Sequence, residues 1–208
     1  MNRLTLAESG LSKKHFNFLK RLDTPTKVQD FLNKIPFNHE RRKETYRGVE
    51  KTLNAGEAHC FEGALLGAAA FWIKGRKPLL MDLRTTDEDV DHVVALFNIN
   101  GFWGAVGKTN HGVLRYREPI YKNPRELALS YFHEYFLNDG TKTLRKFSKP
   151  FDLLKVKINW LTSKEDLWEL TEMLDKSAHE DLLTPFQIRN LRKADKIERK
   201  MGEIVDYK

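Results

Sequence analysis

Apolar positions change period twice along the chain, dividing it into a helical front, a middle of short strands and a helical end. Leu11, Phe16, Leu19 and Leu22 stand among lysines at spacings that suit a short amphipathic helix. Asp23-Thr24-Pro25 restarts the chain. Thr24 is a helix N-cap residue type and Pro25 suits the first helical position, and Val28, Phe31, Leu32 and Ile35 then recur at helical intervals until Pro36. Phe37 to Asn54 is polar, carries Arg41-Arg42-Lys43 and the breaker Gly48, and predicts loop with at most a short helix.

From Cys60 to Trp72 the residues are apolar almost all round and mostly small, interrupted only by Glu62. A helix apolar on every side is a buried one, and Gly63, Gly67 and the alanines let other backbones come close. This is the expected central helix, although each glycine costs about 1 kcal/mol of helix propensity that burial must offset.

After Gly75 the period shortens. Pro78 to Leu83, Asp91 to Phe97 and Phe102 to Thr109 are short apolar runs separated by Thr86-Asp87-Glu88-Asp89 and Asn98-Ile99-Asn100-Gly101, the second a hairpin signal. They predict a small, largely antiparallel sheet. Asn123-Pro124 opens a helix expected to run through Leu127, Tyr131, Tyr135 and Phe136 to Asn138-Asp139-Gly140. Thr162-Ser163-Lys164-Glu165 offers a capping box before Leu167, Leu170 and Leu174, and Thr184-Pro185 opens a last helix with Ile188, Leu191, Ala194 and Met201 on one side. The fold class expected is α+β: a buried helix bearing Cys60 on a small antiparallel sheet, residues 1–152, followed after Pro150 by a helical extension, residues 153–208. The leucines of that extension must bury somewhere, either on the body or on a second copy of the chain, so self-association through the C-terminal helices is an expected partner mode.

At 208 residues the length suits one domain with an appendage. No apolar run is long enough to cross a bilayer, and Met1 leads within a few residues to Ser12-Lys13-Lys14-His15 without a secretory-type apolar stretch, so a cytoplasmic protein without a membrane partner is expected. The net charge of +7 raises nucleic acid as a partner. The basic excess is diffuse, however: residues 1–50 carry 11 Lys/Arg against 6 Asp/Glu, and residues 151–208 carry 11 against 12. No zinc-finger spacing or Gly-rich phosphate loop accompanies it, so nucleic acid is not the partner expected.

A single cysteine rules out an internal disulfide and any zinc site built on several thiolates. Cys60 is either a small buried hydrophobe or a reactive thiol. Its place at a helix start favours reactivity, because the unsatisfied N–H groups there stabilise a thiolate and could also serve an oxyanion. His92 opens the strand that follows, on a rigid element from which an imidazole can reach a thiol. His59 reads as a helix cap or solvent-facing neighbour. Adjacent residues such as His59 and Cys60 converge poorly on one ion with His92, so no metal and no cofactor is expected.

Ala58-His59-Cys60-Phe61-Glu62-Gly63-Ala64, Asp91-His92-Val93-Val94-Ala95-Leu96-Phe97 and Gly101-Phe102-Trp103-Gly104-Ala105-Val106 together resemble the transglutaminase-like superfamily, the papain-like cysteine fold. A bacterial branch of it carries a stretch similar to Lys108-Thr109-Asn110 followed by Arg115-Tyr116-Arg117-Glu118-Pro119-Ile120-Tyr121, and the resemblance covers about residues 24 to 150. It implies a Cys60 nucleophile and a His92 base, acting on a peptide or protein amide. The family usually has Asp about four residues after the hairpin tryptophan, where this chain has Gly107-Lys108-Thr109-Asn110. Asn110 is then the expected orienter of His92, with Asp82 a weaker alternative. Asn54, six residues before Cys60, is a candidate oxyanion donor, and Trp103 is hairpin core or a supporting residue. The function expected is a cysteine-dependent amidohydrolase or acyl-transfer enzyme. The alternative is a module that keeps the fold and binds a peptide or protein without turnover.

Overall fold

A computed structural model describes residues 2–41 and 43–206. Met1 and Arg42, read above in the N-terminal stretch and in the basic run, lie outside the described residues, as do Tyr207 and Lys208.

The front is helical: α1 (Leu6–Ser9), α2 (Lys13–Arg21), α3 (Pro25–Lys34) and α4 (Val49–Ala55) precede the central α5 (Cys60–Ile73). Thr24 caps α3 by accepting a hydrogen bond from the Lys27 N–H, with Pro25 at its first position, as the sequence predicts. The region expected to be loop with at most a short helix contains the short α4, and Gly48 opens that helix rather than breaking one. The N–H groups of Val49 and Glu50 donate to the carbonyls of Trp160 and Leu161, so the helix start is fixed from far along the chain.

Among the described residues seven strands form one sheet, and the named strand pairs are all antiparallel. They are β1 (Leu79–Arg84), β2 (His92–Ile99), β3 (Phe102–Val106), β4 (Arg117–Tyr121), β5 (Lys146–Ser148), β6 (Phe151–Asp152) and β7 (His179–Asp181). The path is β4-β3-β2-β1-β5-β7, and β6 also pairs with β1. β2 and β3 meet at Ile99 opposite Phe102, and Asn100 and Gly101 both have positive φ, the two-residue turn whose twist suits a hairpin.

Alternation along β2 builds two cores. Val93, Ala95 and Phe97 face α5, while Val94 and Leu96 face Tyr131, Tyr135 and Leu127 on the other side. α5 lies close to the sheet because its glycines allow it: a Cβ on Gly67 would stand 2.8 Å from Val106 Cγ2, and one on Gly63 would stand 2.3 Å from Lys108 Cβ. The α+β class and the small antiparallel sheet under the Cys60 helix are thus as expected.

The division at 152/153 needs correction, because sheet and core run through it. β7 pairs with β5, Leu153, Trp160, Leu167, Leu170 and Leu174 join the core on the α5 side, and Leu182 joins the opposite one. Pro150 interrupts a strand rather than ending a domain: β5 and β6 flank it and both pair with β1. A proline has no N–H to give to a ladder, so the strand breaks there. The last third is accordingly not purely helical. It holds β7 with α7 (Trp168–Asp175), α8 (Pro185–Arg189) and α9 (Lys196–Gly202), the last two standing where one helix was predicted. Likewise the helix opened at Asn123 is the short α6 (Pro124–Leu129), followed by a 3-10 turn at Phe132–Glu134. β4, Arg-Glu-Pro-Ile-Tyr, carries no apolar alternation that would reveal it as an edge strand.

Candidate active site

Cys60 is the first residue of α5 and His59 its N-cap. The first-turn N–H groups of a helix have no carbonyl of their own helix to meet, so the thiol sits at the positive end of the dipole. It lies in a cleft of about 910 Å³ walled by the segment before α5, the ends of β2 and β3, Tyr135 and α7. One edge is the chain's own C-terminal strap: the Gly112 N–H donates to the Ile204 carbonyl at 2.7 Å, and the Asp206 N–H to the Asn110 carbonyl at 2.7 Å.

Two imidazoles act on the thiol, those of His59 and His92, and both rings are buried. Burial pushes the Cys60 thiol up, but the hydrogen bonds from the two histidines overcome it and bring it from about 9.0 down to about 5. The counterpart is His59. Burial pushes it down, while the hydrogen bond and the charge of Cys60, with Glu62 and the Thr45 carbonyl, carry it from 6.5 up to about 9. At neutral pH the arrangement is a thiolate beside an imidazolium.

His59 is held from several sides. Its Nε2 lies 2.6 Å from the Thr45 carbonyl oxygen, which can only accept, so Nε2 carries a proton. Glu62, fully buried one turn into α5, lies 3.7 Å from the same nitrogen. Its carboxylate accepts from Asn38 Nδ2 at 3.2 Å, Thr45 Oγ1 at 3.0 Å, the Arg47 N–H at 3.2 Å and the His59 N–H at 3.2 Å. A buried carboxylate needs such a full set of donors.

His92 is oriented differently. Its Nε2 is buried without a hydrogen-bond partner. The atom facing Nε2 is the Gly107 Cα: a Cβ on that residue would lie 3.1 Å from it. The position that could carry an orienting side chain thus carries none. Gln29 clamps the backbone of Gly107 from behind, donating to its carbonyl at 2.9 Å and accepting from its N–H at 3.0 Å.

The other expected site residues separate into those in the cleft and those outside it. Asn110 lines the cleft wall, where its backbone receives the C-terminal strap. Asp82 also lines the cleft but is engaged by His179 Nε2 at 2.9 Å and by Arg84 at 3.4 Å, which leaves it committed to that pair. Asn54 is exposed on α4 and does not line the cleft. Trp103 stands at the hairpin end of β3, away from the cleft, paired with Asn98 and Tyr121 and packed on the second core. The oxyanion role expected for Asn54 therefore lacks geometric support, and Trp103 is hairpin core. Among the described residues no group of three or more His, Cys, Asp or Glu side chains is arranged to hold a metal ion.

His59 is the helix cap that the sequence suggests, buried rather than solvent-facing, and Glu62 is the residue that sequence reasoning passed over. A signal for Glu62 was present: one charge inside an otherwise apolar, all-round buried helix must have buried partners. Tyr135 was read only as a helix-face residue, yet its hydroxyl is buried without a partner and burial with the Cys60 charge raises it well above the ordinary phenol value.

Compared with known proteins, the chain matches no family model and no curated sequence. No helix among the described residues is long and apolar enough to cross a membrane.

Proposed function

We propose that this protein is a cysteine-dependent acyl-transfer enzyme or amidohydrolase of the transglutaminase-like, papain-like kind, acting on amide or peptide bonds. The observation that carries the reading is the Cys60 thiol at the head of α5, lining an open cleft together with His59 and His92. A thiolate attacks a carbonyl carbon, an imidazole moves the protons, and first-turn N–H groups of α5 face the oxygen that becomes negative.

A second reading, a binding module without turnover, is favoured by one observation: His92 Nε2 faces Gly107 rather than a carboxylate or amide. An imidazole without an orienting partner turns more freely, which weakens proton transfer.

Alkylation by iodoacetamide and acylation by 4-nitrophenyl acetate, each followed by mass spectrometry on wild type and Cys60→Ser, test both readings. The enzyme reading expects alkylation with a midpoint near 5, and continuous release of nitrophenolate that Cys60→Ser abolishes. Alkylation without ester turnover supports the binding module. A thiol that reacts only after unfolding excludes a Cys60 nucleophile.

A further inference from the structure

Two histidines reach one thiol, and their far sides differ. His59 Nε2 points at the Thr45 carbonyl at 2.6 Å, with Glu62 Oε1 at 3.7 Å and Glu40 Oε1 at 3.8 Å. The Tyr46 ring closes the site edge-on, with ring centroids 5.7 Å apart. The nearby cation, Arg47, is paired with Glu57 at 3.0 Å and Glu62 at 3.6 Å. The phenols of Tyr46 and Tyr135 also interact with the thiol, and they become no more positive on titration.

His92 has no comparable support. Its Nε2 meets no acceptor and faces Gly107. The carboxylates nearest along its strand pair are occupied: Asp91 by the Thr85 N–H at 2.7 Å and Thr85 Oγ1 at 2.9 Å, Asp82 by His179 at 2.9 Å. Acceptors thus surround one ring and are missing at Nε2 of the other.

On the acyl-transfer reading above, we infer that the histidines divide the work: His59 holds the charge that keeps Cys60 a thiolate, and His92 carries the protons of the reaction. Cys60 Sγ attacks the acyl carbon, the C–S bond forms and the carbonyl π pair moves to oxygen. When that pair returns, the bond to the leaving nitrogen breaks and His92 gives the nitrogen its proton. Water then adds to the thioester carbon, gives a proton to His92, and the C–S bond breaks to restore the thiolate beside His59. One water is consumed, its hydroxyl on the acyl group and its hydrogen on the amine, and His92 ends as it began. Sequence adjacency makes His59 a constant neighbour of the thiol, while His92 on the sheet sits across the cleft where a substrate's leaving group can reach it.

The two roles separate in one experiment on the full chain, comparing His59→Gln and His92→Gln with wild type. Iodoacetamide alkylation against pH reads the thiolate. With 4-nitrophenyl acetate, whose nitrophenolate leaves without a proton, the burst reads acylation and the steady state reads the water-consuming step. His59→Gln is expected to raise the alkylation midpoint by at least about one pH unit, a loss of about fivefold in rate at pH 5. His92→Gln is expected to raise the midpoint less than His59→Gln does, because His92 also acts on the thiol, and to slow the steady state about 100-fold. Should His59→Gln not fold, Glu40→Gln serves, with an expected loss of about threefold at pH 5, because it removes one flanking charge near the surface. An unmoved midpoint in the folded His59 or Glu40 variant, or two glutamine variants with the same profile, overturns the division of labour. A wild-type Cys60 that is neither alkylated as a thiolate nor acylated overturns the acyl-transfer reading, and this assignment with it.

Discussion

His92 Nε2 rests against Gly107, so closely that a Cβ there would lie 3.1 Å from the ring nitrogen and 3.2 Å from Val94 Cγ1. The glycine is what lets the ring occupy its position, and the same glycine leaves the ring without an acceptor. Gly107→Ala is expected to push the imidazole by a few tenths of an ångström, costing about 1 kcal/mol of stability and slowing ester turnover more than iodoacetamide alkylation. Thermal unfolding and the two reagents measure this. Equal slowing of both reagents would show that the ring's position does not matter to proton transfer.

The ion pair of Cys60 and His59 has a calculable sign in stability against pH. Cys60, lowered from 9.0 to about 5, contributes stability present above 9.0 and lost as pH falls through 5. His59, raised from 6.5 to about 9, contributes stability present below 6.5 and lost as pH rises through 9. Between 6.5 and 9 the two trends oppose and cancel. The difference in unfolding free energy between wild type and Cys60→Ser should therefore grow from pH 5 to 6.5 and then stay level. Urea unfolding at four or five pH values gives the curve, and a difference that is constant from pH 5 to 6.5 would falsify the ion pair.

Glu62 is the structural hub behind the site. Replacing it by alanine leaves buried donors on Asn38, Thr45 and His59 without an acceptor, at about 3–5 kcal/mol, the range for removing one partner of a buried charged network. Chemical unfolding of Glu62→Ala should show a lower midpoint with an unchanged slope. A loss under about 1 kcal/mol would mean that water replaces the carboxylate, and that the hub is less sealed than its burial indicates.

A chain ending at Asp152 is expected not to fold. It lacks β7, and it strips Trp160, Leu161, Leu167, Leu170 and Leu174 from the core beside α5. It also removes the carbonyls of Trp160 and Leu161, which receive the Val49 and Glu50 N–H groups at the start of α4. Amide hydrogen exchange on the truncated chain reads the outcome directly: protection retained in α5 and β2 would restore the boundary at 152/153.

Local chemistry was legible wherever an element depends on its own residues. The Thr24-Pro25 cap, the Asn100-Gly101 turn and the apolar Cys60–Ile73 run act within a few residues of themselves, and each stands where the sequence puts it. Elements stabilised from a distance have bounds, or an existence, that local pattern does not fix. α4 starts where residues 160 and 161 accept its first N–H groups, and β7 exists because β5 offers it an edge. Neither partner can be read from the residues of the element it supports.

The site divides along the same line. The sequence by itself determined that the one cysteine begins a buried helix and that a histidine opens the following strand, because helix capping and strand alternation are local. Only the tertiary structure decided which groups meet the thiol. It brought in His59 through the Thr45 carbonyl and Glu62, set Gly107 rather than Asn110 against His92, left Asn54 on the surface and committed Asp82 to His179. These are contacts across many residues of chain, fixed by how close the glycines of α5 let the helix approach the sheet, and a spacing in one dimension carries no record of that distance.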